Sequence, residues 1–189
     1  MADWQDNGAG RGGDQPQSDS SWQLRQTAYE AGRQARDETL FALANGGLGV
    51  RGAFEEQDSP SDGSFLASAF EQSPIHYHER LAGFARSTDT RVPVAEGKRI
   101  RVWLGSERLD PDQGQWLEFE RALDLRHGLL HRRLRLTTAA GHTVEVQAER
   151  VVPFSEQALL AIRFRLTSID YSGPVSLVSN RLGEFLPVT

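Results

Sequence analysis

Apolar and polar side chains alternate along the chain after Lys98, with the period of two expected of β-strands that bury one face. In the clearest run, 160–167, Leu, Ile, Phe and Leu occupy one set of alternate positions, and Ala, Arg, Arg and Thr occupy the other. Turn-forming residues separate the runs, as Gly173 and Pro174 do before the last of them. The pattern predicts strands over 99–104, 116–125, 129–137, 143–152, 160–167 and 175–179.

Short turns join these runs, and no long helical pattern lies between them. This organisation favours a mainly β fold, an antiparallel β-sandwich, over an alternating βαβ fold. Residues 3–21 are mostly Gly, Asp, Gln and Ser, so we expect 1–21 to be a disordered tail and 22–189 to form the domain. The composition of 22–37 favours a helix, whereas Gly32 and sparse apolar positions oppose one.

Composition excludes several classes of partner. The net charge of -5 provides no basic field, so we expect neither nucleic acid nor an anionic membrane as a partner. No apolar run approaches the roughly 18 residues that a transmembrane helix needs, and the polar start does not resemble a signal peptide. The chain has no cysteine, which excludes disulfides and suits a reducing compartment, so we expect a cytoplasmic protein.

Three glycines, Gly47, Gly49 and Gly52, have the Gly-x-Gly-x-x-Gly spacing of dinucleotide-binding proteins. That motif requires a strand before the glycines and a helix after them, so that the helix start meets the pyrophosphate. Only five residues follow Gly52 before the loop-like composition of 58–62 begins. We therefore expect the glycines to permit tight bends and close backbone contacts in a β-domain.

The segment 38–56 is the most distinctive part of the chain, and it reads Glu-Thr-Leu-Phe-Ala-Leu-Ala-Asn-Gly-Gly-Leu-Gly-Val-Arg-Gly-Ala-Phe-Glu-Glu. It closely resembles a signature near the start of glycoside hydrolase family 65, the maltose, trehalose and kojibiose phosphorylases. Ala44, Gly47 and Ala53 stand where the family usually has Gly, Tyr and Asn, and losing that Tyr removes an aromatic ring that could stack on sugar. The likeness continues, in the same order, at 63–67, 70–71, 75–77, 83–85, at 123–126 with Gly128, Leu130 and Arg132, and at 171–175.

The resemblance implies an amino-terminal β-sandwich of the supersandwich type. Family members add a helical linker and an α/α barrel, and they cleave α-glucosidic disaccharides with phosphate and with inversion. The barrel carries the general acid and the phosphate-binding groups, and no metal or other cofactor is used. We therefore expect a non-catalytic and partial domain. Its expected partners are an α-glucosidic carbohydrate through the catalytic domain, the missing barrel and a second copy of the chain.

Two other interpretations stay open. The chain could be a free-standing carbohydrate-binding module, or a decayed remnant whose exposed strand edges make it poorly soluble. The likeness to the family disappears after 182–184, which favours a sandwich that is incomplete at its carboxyl end.

Four polar residues of the signature are candidates for a role: Asn45, Arg51, Glu55 and Glu56. They could brace the domain against the barrel or line the rim of the sugar pocket, or they could form salt bridges inside the sandwich. Glu55 and Glu56 are adjacent, so an extended segment would point them to opposite faces, where they could not act as a paired acid and base. We assign no catalytic residue.

Other candidates are weaker. Trp103 and Trp116 could stack on a sugar ring, although tryptophans on strands more often pack in the core. His76 and His78 would share one face of a strand, as in some metal sites, but we expect ordinary hydrogen-bonded or solvent-facing histidines and no metal. We expect a solvated outer face to carry the arginines Arg126, Arg132, Arg133 and Arg135.

Overall fold

The computed structural model describes residues 20–57, 63–79, 81–94 and 96–179. The expected tail, apart from its last two residues, and the segment 182–184 lie outside these ranges. The strands are β1 (Gln23–Gln26), β2 (Leu43–Ala44), β3 (Leu48–Val50), β4 (Ser64–Pro74), β5 (Ser87–Pro93), β6 (Ile100–Leu104), β7 (Glu107–Arg108), β8 (Gln115–Asp124), β9 (Leu129–Thr137), β10 (Thr143–Val151), β11 (Ala161–Ser168) and β12 (Val175–Ser179). The helical elements are α1 (Gln34–Leu40) and 3₁₀ turns at Ser20–Trp22 and Ala31–Arg33.

The strands form three sheets in which the pairings are antiparallel. A five-stranded sheet has the order β1-β8-β9-β10-β11, a three-stranded sheet has the order β12-β6-β7, and a four-stranded sheet has the order β2-β3-β4-β5. The expected mainly β, antiparallel architecture is confirmed. Each strand predicted from the alternating pattern is present, with ends that differ by one residue at most.

The ambiguous segment 22–37 contains a strand, a 3₁₀ turn and the start of a helix. Gly32 lies in the 3₁₀ turn, and α1 begins only at Gln34. The helix ends after seven residues, and the next residue, Phe41, lies in the core, where it is 2% exposed. Within the described ranges, the chain has no helix long and apolar enough to span a membrane.

The inner face of the five-stranded sheet packs against both smaller sheets. Towards one end of its strands it meets β6, and towards the other it meets β2 and β3. Each large apolar side chain that is fully buried here contributes about 1.5–3 kcal/mol. The first contact contains Val102, Leu104, Leu109, Leu134, Leu136, Val144 and Val146, and the second contains Phe41, Leu43, Val50, Leu123, Leu130 and Val152.

The inner face of β9 carries an arginine among three buried leucines. Arg132 is 3% exposed, so the expectation that it lies on a solvated outer face is wrong. Arg132 lies two positions after Leu130 and two before Leu134, so its side chain points to the same face as theirs, because side chains on a strand alternate. Arg133 and Arg135 lie on the outer face, where both reach Glu145, at 2.9 and 3.3 Å. Arg126 lies in an exposed turn.

The predicted alternation of β11 is confirmed, but its inner positions are only half-buried. The strand is the last of its sheet, so no further strand covers that side within the described residues. On the facing sheet, β12 is in register with β6 so that Val175 lies beside Leu104 and Leu177 beside Val102. Val175 and Leu177 are nevertheless 44% and 56% exposed. The sandwich therefore presents apolar side chains along the β11 and β12 side.

Candidate functional site

Three arginines are buried on the inner face of the five-stranded sheet, between its two apolar contacts. Arg121 of β8 lies directly opposite Arg132 of β9, and Arg150 extends from β10. Each is 2–3% exposed. A buried charge without a partner costs several kcal/mol, so these guanidinium groups require acceptors from other parts of the chain.

The end of the signature segment supplies two carboxylates. Arg132 Nη2 donates to Glu55 Oε2 at 2.7 Å and to both carboxylate oxygens of Glu56 at 2.8 Å. Arg150 Nη2 donates to Glu55 Oε1 and to the carbonyl oxygen of Ala53, the latter at 2.9 Å. The two glutamates are 2% and 0% exposed, so both are committed to internal ion pairs.

The adjacent glutamates therefore do not diverge. Sequence reasoning placed Glu55 and Glu56 on opposite faces of an extended segment, and this is wrong. Residues 55–57 form a bend rather than a strand, so the two carboxylates converge on the same nitrogen of Arg132. The sequence held one indication that Arg132 is buried, since it occupies an alternate position of β9 on the same face as the buried leucines.

Helix α1 contributes two more buried acids. Asp37 lies 3.8 Å from Arg121, which also donates to the carbonyl oxygen of Gly52 at 2.9 Å. Glu38 lies 3.5 Å from Arg51 of the signature. We call this set the buried ion cluster, and it balances four carboxylates against four guanidinium groups. Its members are Asp37, Glu38, Glu55, Glu56, Arg51, Arg121, Arg132 and Arg150.

Two phenylalanines complete the surroundings of the arginines. The guanidinium carbon of Arg121 lies 4.1 Å from the centre of the Phe41 ring. Phe54 lies 4.5 Å from the guanidinium carbon of Arg132 and 5.4 Å from that of Arg121. Desolvated cation–π contacts of this kind stabilise buried guanidinium groups, so the signature supplies aromatic as well as ionic partners.

The pKa values of the two buried glutamates shift in opposite directions. For Glu55 burial opposes ionisation, but the charges of Arg150 and Arg132 outweigh it and hold the pKa at about 2. For Glu56 burial raises the pKa above its ordinary value, because Arg132 compensates it only in part and the charge of Glu55 adds to the effect. As the pH rises, Glu55 is therefore the first of the two glutamates to lose its proton.

Asn45 connects the signature to a distant loop. Its Nδ2 donates to the carbonyl oxygens of Pro153 and Gln157 at 2.9 and 3.2 Å. Its Oδ1 accepts from the backbone N–H groups of Gly47 and Leu48 at 3.0 and 2.8 Å. Asn45 is 5% exposed, so these four hydrogen bonds are shielded from water.

Replacing Asn45 with alanine is expected to lower the free energy of unfolding by about 1–3 kcal/mol, because it leaves buried backbone groups without partners. The loop 153–157 should also become more sensitive to proteolysis. Urea unfolding and limited proteolysis measure both effects. Gln72→Ala is the matched control, since Gln72 makes an exposed hydrogen bond at 3.2 Å to Asp89. Equal stability of the two variants would contradict this role for Asn45.

The glycines of the signature allow close packing. A Cβ atom on Gly49 would lie 2.1 Å from the Phe65 ring, and one on Gly52 would lie 2.7 Å from the Cβ of Phe41. After Gly52 the described chain continues through coil and bends, whereas helix α1 lies before the glycines. This is the reverse of the strand–glycine–helix order that dinucleotide binding requires.

The weaker candidates have ordinary surroundings. Trp116 stacks on Tyr29 with ring centres 4.4 Å apart, and Trp103 is half-buried on β6. A sugar-stacking role for either stays a prediction, and these contacts give no support to a carbohydrate-binding module. His76 and His78 lie in the loop after β4 and not on a strand. No group of three or more His, Cys, Asp or Glu side chains suited to a metal ion occurs in the described part of the chain.

The same fold occurs as part of a larger solved structure. It matches a solved structure named a putative kojibiose phosphorylase from human microbiome with a TM-score of 0.67, at 21% identity over 78% of this chain and 20% of that one. Residues 24–184 match the family model described as glycosyl hydrolase family 65, N-terminal domain. The chain belongs to this family, as its resemblance implied.

Several curated relatives are phosphorylases. The α,α-trehalose phosphorylase of Thermoanaerobacter brockii is 33% identical over 163 residues, which are 84% of this chain and 21% of that enzyme. The kojibiose phosphorylase of the same organism is 31% identical, over 86% of this chain and 20% of the enzyme. An uncharacterized glycosyl hydrolase of Mycobacterium tuberculosis is 35% identical, over 79% of this chain and 19% of that protein. The chain spans about a fifth of the length of these relatives.

Proposed function

We propose that the chain is a non-catalytic amino-terminal domain of a family 65 carbohydrate-active enzyme. In this proposal the complete enzyme cleaves α-glucosidic disaccharides by inverting phosphorolysis or hydrolysis. The observation that carries the proposal is that residues 24–184 match the N-terminal domain of the family, over about a fifth of the length of its relatives. Glu55 and Glu56 do not supply a general acid in this proposal, because a general acid must face the bond that it cleaves and both are paired with Arg132 inside the sandwich.

The buried ion cluster supports an architectural role instead. It connects α1, the glycine-rich turn and three strands of the large sheet through partners far apart in sequence, such as Glu55 and Arg132, which are 77 residues apart. Buried ion pairs between segments so far apart in sequence hold those segments in a fixed arrangement. The signature in this chain therefore acts as a structural centre in our proposal.

The apolar side of the sandwich supports the proposed partners. Val175 and Leu177 are exposed there, opposite the half-buried inner face of β11. Exposed apolar side chains that continue a core are typical of a surface that packs against more protein. We propose that the α/α barrel, or a second copy of the chain in a homodimer, provides this protein. A cytoplasmic location stays a prediction.

The enzymatic part of the proposal is tested with the purified chain and inorganic phosphate. We expect no release of glucose 1-phosphate from trehalose, kojibiose or maltose. A full-length trehalose phosphorylase assayed in parallel shows that the conditions allow the reaction. Release of glucose 1-phosphate above the background without protein would overturn the proposal that the domain is non-catalytic.

A further inference from the structure

Strand β5 forms an open edge of the four-stranded sheet. It is the last strand in the order β2-β3-β4-β5, so within the described ranges no strand pairs with its outer side. Its residues 87–92 are all exposed. The unpaired N–H and C=O groups along such an edge are a template for pairing with another chain.

The outer part of this sheet is a ribbon of only two strands. β3 pairs with residues 64–66 of β4, so residues 70–74 of β4 pair with β5 alone. Most side chains of the ribbon are exposed, including Phe70 at 55%. A two-stranded ribbon is only marginally stable in water, so a further strand at the edge of β5 would stabilise it.

The pairing with β4 determines which backbone groups of β5 point outward. Antiparallel ladders alternate between pairs that exchange backbone hydrogen bonds and pairs that do not. The carbonyl oxygen of Arg86 accepts from the N–H group of Ile75 at 3.0 Å, which marks a hydrogen-bonded pair. Alternate residues from 86 onward therefore bond to β4, whereas Asp89 and Arg91 direct their N–H and C=O groups outward.

The two outward-bonding residues carry opposite charges that have no ionic partner among the described residues. Asp89 accepts a hydrogen bond from Gln72 at 3.2 Å, and the guanidinium carbon of Arg91 lies 4.3 Å from the centre of the Phe65 ring. Both charged residues are exposed. An ionic partner for each would therefore come from outside the described chain.

The edge is complementary to itself. Asp89 and Arg91 lie on either side of Thr90. When two β5 strands run antiparallel with their Thr90 residues opposite each other, Asp89 of each copy faces Arg91 of the other. These facing residues are also the ones with free backbone groups, so they exchange hydrogen bonds as well. Opposite charges at facing positions stabilise antiparallel pairs, and like charges destabilise them.

We propose that two copies of the chain associate through their β5 strands, antiparallel about a two-fold axis at Thr90. The four-stranded sheets of the two copies then form one continuous sheet. Each edge covers the other, so the assembly closes as a dimer. The edge belongs to a different sheet from β11 and β12, and the proposal does not depend on what covers that side of the sandwich.

A single cysteine at the axis tests the register. The chain has no cysteine of its own, so Thr90→Cys introduces a unique thiol. In the dimer the two residues at this position form a non-hydrogen-bonded pair, whose Cα atoms lie about 4.5 Å apart, and a disulfide fits this separation. We expect mild oxidation to give a dimer on non-reducing gel electrophoresis, and a reductant to reverse it.

Thr88→Cys is the matched control on the same strand. In the proposed register, Thr88 lies opposite Val92 of the other copy. The two introduced thiols would be about 13 Å apart along the strands, which is too far for a disulfide. We expect little cross-linking of this variant. Equal cross-linking of the two variants, or none of either, would overturn the proposal.

Charge reversal tests the ion pairs across the axis. We expect the unmodified full chain to sediment as monomers and dimers in equilibrium. Asp89→Arg brings like charges together at both symmetric positions, so the dissociation constant should rise about tenfold or more. Adding Arg91→Asp exchanges the two charges and should restore the original dissociation constant. Sedimentation equilibrium over a range of protein concentrations measures all three proteins.

Glu156→Arg controls for the change in net charge. Glu156 is exposed in the loop between β10 and β11, so reversing its charge should leave the dissociation constant unchanged. A chain that sediments only as a monomer would overturn the proposal. A dimer that Asp89→Arg leaves intact, or one that the charge exchange does not restore, would place the contact elsewhere and would overturn it too.

Discussion

Replacing Arg132 with methionine is expected to lower the free energy of unfolding by about 3–5 kcal/mol. The variant would keep two buried carboxylates, Glu55 and Glu56, and would remove the guanidinium group that both of them contact. Domains of this kind are stable by only about 5–15 kcal/mol, so the variant would lose a large share of its stability and unfold at a lower urea concentration. Urea unfolding followed by tryptophan fluorescence measures the loss.

The control is Arg133→Met on the same strand. Arg133 is 43% exposed and pairs with Glu145 on the outer face, so its loss should cost about 1 kcal/mol or less. Adding Glu56→Gln to Arg132→Met should restore part of the stability, because it removes the carboxylate that has lost its arginine, while Glu55 keeps its ion pair with Arg150. If Arg132→Met were no more destabilising than Arg133→Met, the buried ion cluster would not be a structural centre.

The second large effect is expected for Gly52→Ala, at about 1–3 kcal/mol of destabilisation. The added Cβ would lie 2.7 Å from the Cβ of Phe41 and 2.8 Å from its carbonyl oxygen. Phe41 is buried in the core, and backbone atoms cannot move aside as the end of a flexible side chain can. The amide of Gly52 also donates to the carbonyl oxygen of Glu38 at 2.7 Å, so a shift would disturb α1.

Gly32→Ala is the matched control for this substitution. Nothing lies within 4 Å of a Cβ atom at Gly32, and the residue belongs to the 3₁₀ turn before α1. We expect unchanged stability or a gain of up to about 1 kcal/mol, because alanine restricts the unfolded chain. Urea unfolding of both variants measures the two changes in the free energy of unfolding. Equal effects at the two positions would show that close packing does not explain the glycine at position 52.

The alternating pattern did not reveal β2, β3 and β4, because these strands are either very short or mostly exposed. Most side chains of β4 are exposed, and β5 is its neighbour at the end of the four-stranded sheet, so burial imposes no alternation on β4. β2 and β3 have only two and three residues, too few for a period of two to be recognised. Alternation reveals a strand only where one face is buried over several residues.

The candidate site was predicted in part. The signature identified Asn45, Arg51, Glu55 and Glu56, and the alternative of internal salt bridges describes where the structure places the last three. Arg121, Arg150, Asp37 and Glu38 were missed. Nothing local marks an arginine on a strand as buried until its partners are known, since the same residue type covers solvated faces.

The sequence by itself determined the alternating strands after Lys98, the antiparallel class of the fold and the membership of family 65, because a two-residue period and an ordered signature are properties of the chain alone. Only the tertiary structure decided that Glu55 and Glu56 converge on Arg132. That contact joins a bend to a strand 77 residues away. Which charges become partners depends on how the sheet brings distant segments together, and no local pattern records it.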